Sequence, residues 1–347
     1  MGFLHNALKS IQKADQVDVS QPPGKIVAVD IGQSHLLLLG VGREAEKIKV
    51  TNFHLEPRPS SPEAVSERMK AIFVEEKLEP RSVRTALKTP GMVVRILTFP
   101  QMRRSELTSM LQYEVEKYIP FKASEVLLDF DVLEENIDQG GKKCMDIILV
   151  AVRRNEVYEI HRMFENAGIQ VESISIGAAV LANAIDFAFP QSKKTTVAFL
   201  EMGTESTTFG ILLNGKPVFV RDISFGGSDI MKMLKRKLGP RAEKTAGGVS
   251  AEYKTTAEQA VGNLLSELKL SLGYYMERIV GARSIETLYV AGGGFRFIAD
   301  PGYIEEQIKI PVKRAEIFSR IELDSRLDPA LIKQNEDLLL SALGLCL

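Results

Sequence analysis

Three glycine-containing turns carry the residues best suited to chemistry: Asp30-Ile31-Gly32-Gln33-Ser34, Glu201-Met202-Gly203-Thr204-Glu205-Ser206-Thr207 and Ala291-Gly292-Gly293-Gly294. Each follows an apolar run, at Ile26–Val29, Val197–Leu200 and Thr287–Val290. The first two lead into a second such run, Leu36–Val41 and Thr208–Leu213. The pattern predicts strand, turn, strand, twice, and then a strand that feeds a glycine turn. Glycine has no side chain to hold off an oxyanion, so backbone N–H groups in such turns can point at phosphate. Asp30 could hold a magnesium ion, directly or through water, because hard cations take oxygen ligands. Ser34, Thr204, Ser206 and Thr207 add hydroxyl donors, and Gly292–Gly294 leave room for a flat base or ribose. Singly, each turn is also what a plain hairpin shows; all three, in order, predict a nucleotide cleft between two similar lobes.

Other chemistry is poorly supplied. The histidines (His5, His35, His54, His161) are scattered, and Cys144 and Cys346 form no Cys-x-x-Cys pair. Zinc and a disulfide framework are therefore not expected, and a reducing compartment is. The P-loop, Rossmann, nucleophile-elbow and His-Glu-x-x-His patterns are missing from the chain. An apolar fraction of 45%, a charged fraction of 26% and a net charge of −1 fit an ordinary globular protein with no field favouring nucleic acid. No apolar run approaches the ~20 residues of a membrane span, and the N-terminus lacks a secretory signal, so the expected location is the cytoplasm.

The elements that must position the turns follow from periodicity. Leu4, Ala7, Leu8 and Ile11 share a face of a short N-terminal helix before Gln21-Pro22-Pro23-Gly24. This extension reads as a packed terminal helix or as a contact with a membrane surface or partner groove. Helices are expected over 61–78, from Ser105 to Pro120, over Asn155–Ala167, Gly177–Phe187 and Ile230–Leu238, and from Val261 to Ile279. Leu107, Met110, Leu111, Val115, Tyr118 and Ile119 recur at spacings of three and four. That stripe reads mainly as core, though part of it could line a peptide groove. Val93–Phe99, Val126–Leu133 and Cys144–Val152 read as strands. The basic stretch Lys232–Lys244 reads as a solvated helix face, with attraction to anionic lipid as the alternative. Leu338–Leu347 is an apolar helix expected to return to the first lobe.

The order hairpin, inserted block, hairpin, long helix, triple glycine resembles the actin-like ATPase superfamily, α/β proteins with two ribonuclease-H-like lobes and ATP between them. The inserted block in the first lobe is similar to that of FtsA and the PilM family. Met110-Leu111-Gln112-Tyr113-Glu114-Val115-Glu116-Lys117-Tyr118-Ile119-Pro120-Phe121 resembles PilM most specifically. Pro100-Gln101-Met102, Gly226-Gly227-Ser228-Asp229 and Ala342-Leu343-Gly344-Leu345 support it. The likeness spans residues 25–347.

That resemblance implies an N-terminal extension and linker over 1–24. It implies a first lobe from 25–84, 171–190 and 330–347, and an FtsA-type inserted, partner-binding subdomain at 85–170. It implies a second lobe from 191–229 and 284–329, with a helical subdomain at 230–283. It implies ATP and Mg2+ as cofactors. Asp30, Gly32 and Ser34 would face phosphate and metal, with Gln33 beside them. Gly203 and Thr204, with Glu205, would face the phosphates. Glu267 and Lys269 would face the ribose, and Gly292, Gly293 and Gly294 the adenosine. It implies a protein at the inner face of the cytoplasmic membrane that binds the tail of a PilN-like membrane protein, with Leu111, Tyr113, Val115 and Ile119 at the contact. Pilus motor or platform proteins are further implied partners.

Two departures bear on activity. Glu201 stands where the family usually carries Asp, and the first turn has no lysine. Ser173-Ile174-Ser175-Ile176, ahead of the Gly177 helix, offers no base to orient water. The expectation is nucleotide binding, itself weakened, with slow or absent hydrolysis. A type II secretion platform or FtsA-like membrane adaptor is the alternative function; a small-molecule kinase would need a base and a substrate pocket that the sequence does not offer.

Overall fold

The two hairpins seed two sheets of one design. The computed structural model describes residues 25–347 except 45–46, 80–81, 89–91, 243–249, 280–281 and 299. The expected N-terminal extension and Lys244 of the basic stretch lie outside the described residues. The strands are β1 (Ile26–Ile31), β2 (His35–Glu44), β3 (Lys47–Pro57), β4 (Val83–Leu87), β5 (Val93–Pro100), β6 (Val126–Gln139), β7 (Lys142–Arg153), β8 (Val171–Ile176), β9 (Thr196–Met202), β10 (Thr207–Leu213), β11 (Lys216–Ile223), β12 (Thr287–Ala291), β13 (Val312–Arg314) and β14 (Ile321–Leu323). The helices are α1 (Pro62–Glu75), α2 (Arg104–Glu114), α3 (Arg154–Asn166), α4 (Gly177–Ala188), α5 (Gly227–Leu238), α6 (Ala251–Ala260), α7 (Gly262–Arg278), α8 (Gly302–Ile308), α9 (Pro329–Gln334) and α10 (Glu336–Cys346).

The first sheet has the order β14-β3-β2-β1-β4-β8 and the second β11-β10-β9-β12-β13. In both, three antiparallel strands are followed by two parallel ones. The repeat seen in the turns therefore extends to the topology. Central strands of such sheets are covered on both faces, which is why Ile26–Val29 is a continuous apolar run. Val27 and Val29 pack with Met69, Ile72 and Phe73 of α1, and Ala28 faces the core shared with α4 and α10.

α10 does return to the first lobe, and it crosses α4 closely. A Cβ on Gly344 would stand 2.1 Å from the Val180 carbonyl oxygen, so no larger residue fits. The return begins earlier than the boundary at 330 expected from sequence, because β14 pairs with β3 in the first sheet.

The insertion is a third sheet, β5-β7-β6, with α2 on one face. Its other face, through Val94, Ile148, Val150 and Val152, joins a core that runs through the first lobe and on to Val197, Phe199 and Tyr289 of the second. The expected boundaries of 85 and 170 enclose too much. β4 pairs with β1 and β8, and Met163 and Phe164 of α3 share a core with Val27 and Val29. Both therefore belong to the first lobe's layers. Among the described residues no helix is long and apolar enough to cross a membrane.

On β6, Asp129 and Asp131 are 8% and 3% exposed. Asp131 accepts a bond from Arg104 at 3.1 Å, and Asp129 accepts the Phe130 N–H at 2.8 Å. Burial, aided by the charge of Asp131, pushes the Asp129 carboxyl up to about 6 against the Phe130 N–H and Arg104. The folded state therefore holds this proton more tightly than the unfolded chain, and ionisation at higher pH costs stability. Asp129→Asn keeps the acceptor and is expected to melt above wild type near neutral pH. That gap should narrow as the pH falls from about 6 toward about 4, where both states are protonated. A gap in melting temperature that does not change over this range would contradict the assignment.

Candidate functional site

β1 and β9 occupy equivalent places in their sheets, and each ends in a carboxylate, Asp30 and Glu201. Lys88 follows β4, and its ammonium lies between them. Nζ is 2.9 Å from Asp30 Oδ2 and 3.3 Å from Glu201 Oε1, and it donates to Ser341 Oγ of α10 at 3.0 Å. The Ser341 hydroxyl in turn donates to Glu201. One cation thus ties together the first sheet, the second sheet and the returning helix. β4 is held in place by the Thr85 hydroxyl, which donates to the Val29 carbonyl at 2.7 Å.

Asp30 is buried, and His35 Nε2 lies 3.9 Å from its Oδ2. Burial alone would push the Asp30 carboxyl up, but the Lys88 ammonium, with His35, holds it well below the usual carboxylate range. Its contribution to stability is therefore present at neutral pH and is lost only as the pH falls below the unfolded value of about 4. Burial works against the Lys88 charge, yet Asp30 and then Glu201 hold it well above the usual ammonium range.

The three turns converge. Ser34 Oγ and Thr204 Oγ1 are 2.8 Å apart across the gap between the lobes. Gly203 and Thr204 carbonyls accept the Gly227 and Ser228 N–H groups at the start of α5. The third turn lies against the second: a Cβ on Gly292 (φ 97°) would meet the Met202 carbonyl at 2.4 Å, and one on Gly294 the Met202 side chain at 2.4 Å. Gly293 faces Leu338. These glycines allow backbone to approach the protein's own chain, where the sequence suggested room for adenosine. At Gly32, likewise, a Cβ would lie 2.4 Å from the His35 ring.

Other expected residues separate. Gln33 and Glu205 are exposed at the turns. Glu267 pairs with Arg221 of β11, and Lys269 leaves α7 in another direction toward Gln307 of α8. Successive positions two apart on a helix do not share a face. Leu111, Val115 and Ile119 are buried in the core of the insertion against Phe99, Met145, Ile147 and Leu149. They cannot meet a partner without unpacking; Tyr113, 87% exposed, is the one of the four at the surface.

Mg2+ does not fit these residues as they stand. The carboxylates that would bind or face it already share the Lys88 ammonium, and a second cation there would meet like charge. Among the described residues no group of three or more His, Cys, Asp or Glu side chains is placed to hold a metal. Phosphate-type groups fit better. A cavity of about 280 Å³ between the hairpins is lined by Gln33, Arg58, Lys88, Thr204 and Ser206, and also by Glu156 and Glu159. A second, of about 30 Å³, lies beside Glu201, Gly177 and Asp222.

Sequence reasoning missed Lys88, Ser341 and Asp222. The signal for Lys88 is a charge placed directly after an apolar strand and before Thr89-Pro90-Gly91. Asp222 accepts the Thr208 hydroxyl at 2.7 Å, and burial, with Glu201 nearby, pushes its carboxyl up against that bond.

A family model described as type IV pilus assembly protein PilM matches residues 28–347. Among solved structures, a PilM-PilN type IV pilus biogenesis complex is similar with a TM-score of 0.77 at 21% identity, covering 93% of this chain and 98% of that one. Ethanolamine utilization protein EutJ from Carboxydothermus hydrogenoformans follows at TM-score 0.52 and 13% identity, with 98% of each chain covered. MreB5 of Spiroplasma citri bound to ADP gives 0.50 at 12% identity, covering 84% and 92%. The fold is that of the actin-like ATPases, with two ribonuclease-H-like lobes and an inserted subdomain.

The burial pattern of α2 gives a direct check. Leu111→Ala is expected to lower unfolding free energy by about 2–5 kcal/mol, and Tyr113→Ala to change it by less than about 0.5 kcal/mol. Urea denaturation of both variants measures this; equal effects would contradict the placement of the stripe.

Proposed function

This chain belongs to the PilM family of type IV pilus assembly proteins, and on that premise we propose that it is a scaffold of the pilus inner-membrane platform rather than a nucleotide-driven motor. It works in the cytoplasm and is held at the inner face of the membrane by the short tail of a PilN-like protein. The similar fold of the PilM-PilN complex supports this partner. The observation that carries the scaffold reading is the Lys88 bridge. The lobes are joined by the chain's own side chains, and Ser175 and Ile176, just before Gly177, offer no carboxylate or imidazole to act as a base toward water. ATP, on this reading, is a ligand of the cleft and its turnover is slow or absent.

The tail's seat is the groove where the insertion meets the second lobe. It has a volume of about 690 Å³ and is lined by Val93 and Ile96 of β5, Phe219 of β11, and Leu270 and Tyr274 of α7. β5 and β11 are both edge strands, and Leu270 is 65% exposed. An extended segment can add main-chain bonds at such an edge while alternate side chains enter apolar pockets.

A labelled peptide of the PilN-like tail, titrated with the full chain and followed by fluorescence anisotropy, tests this. Saturable binding is expected, weakened about tenfold or more by Leu270→Asp and less than about twofold by Tyr113→Ala. No binding would overturn the partner, and loss confined to Tyr113→Ala would overturn the seat. Phosphate release from ATP should stay at the no-enzyme rate with and without the tail.

A further inference from the structure

We propose that Lys88 is the resident cation of the interlobe cleft. It stands where the family resemblance implies magnesium, so that closure of the two lobes needs no metal. An ammonium has three donors. Here they reach Asp30 Oδ2 at 2.9 Å, Glu201 Oε1 at 3.3 Å and Ser341 Oγ at 3.0 Å, so every donor has a protein acceptor. Those acceptors come from β1, β9 and α10, which are separate parts of the fold.

The stem is positioned as well. A Cβ on Gly177 would touch Lys88 Cγ at 3.7 Å, so the aliphatic chain runs along the start of α4. A hydrated magnesium ion takes a near-octahedral shell of oxygens and releases its waters reluctantly. Placed at Asp30 it would either displace the ammonium from Oδ2 or take the buried, unpartnered Oδ1, and in both cases Lys88 would face a divalent ion. The Ser34–Thr204 contact at 2.8 Å closes the same gap from the turn side. A ligand entering the cleft therefore meets a cation that the chain already supplies. This inference does not depend on the tail or its seat.

The test uses the full chain, wild type and Lys88→Met. The probes are magnesium chloride alone and a fluorescent ATP analogue, each read against EDTA. Wild type should melt at the same temperature, within about 1 °C, in millimolar magnesium and in EDTA. Any binding of the analogue should be equal within about twofold in the two conditions. Lys88→Met removes the charge, leaves Asp30 and Glu201 uncompensated, and should melt lower in EDTA. It should then gain a magnesium-dependent rise in melting temperature that wild type lacks. If the variant does not fold, the wild-type comparison decides alone. Analogue binding by wild type that is about tenfold or more tighter with magnesium would overturn the proposal. So would a folded Lys88→Met protein with no magnesium response.

Discussion

Two lobes that close over a polar seam bring Asp30 and Glu201 toward one another, and carboxylates that approach away from bulk water repel unless a cation lies between them. Everything else about the cleft follows from how that repulsion is met. Buried charges cost several kcal/mol each to desolvate, and they are repaid only when the geometry satisfies their donors and acceptors. The Lys88 ammonium, with an oxygen for each of its three donors, meets the donor side of that condition, while Asp30 Oδ1 is buried without a hydrogen-bond partner. Because its partners sit on both sheets and on α10, a local electrostatic need becomes a constraint on the arrangement of the whole chain.

Apolar packing reinforces that arrangement. α10 lies against α4 at a distance only Gly344 permits, and the third glycine turn is pressed onto Met202. One apolar core runs through both lobes and reaches one face of the inserted sheet through Ile148, Val150 and Val152. Close-packed interiors of this kind resist continuous deformation. A rigid two-lobed body with an inserted sheet suits a part that holds others in position.

Much of the fold was legible because its signals are local. Apolar runs broken by glycine turns announce hairpins, and Leu107 to Ile119 at spacings of three and four announce an amphipathic helix. What the sequence did not reveal is what each signal faces. The stripe of α2 and the turn that follows it looks the same whether it lines a groove or, as found, buries Leu111, Val115 and Ile119 on a sheet. A triple glycine marks a close approach to backbone, and one group that makes that approach is Met202, which no local motif announces. The allegiance of β4 and α3 to the first lobe depends on pairings with β1 and α1, far away in sequence. Lys88 was missed for the same reason: its three acceptors are set by tertiary closure, and no short motif encodes them.

The most direct measurement of the central claim is the distance across the cleft in solution. Spin labels at the exposed positions Lys70 and Lys313, one on each lobe, report it by pulsed electron resonance. A cleft held by its own lysine predicts a single distance distribution that is the same in EDTA, in magnesium, and in magnesium with ATP. A distribution that is broad in EDTA and sharpens or shifts only when magnesium and ATP are added together would contradict it.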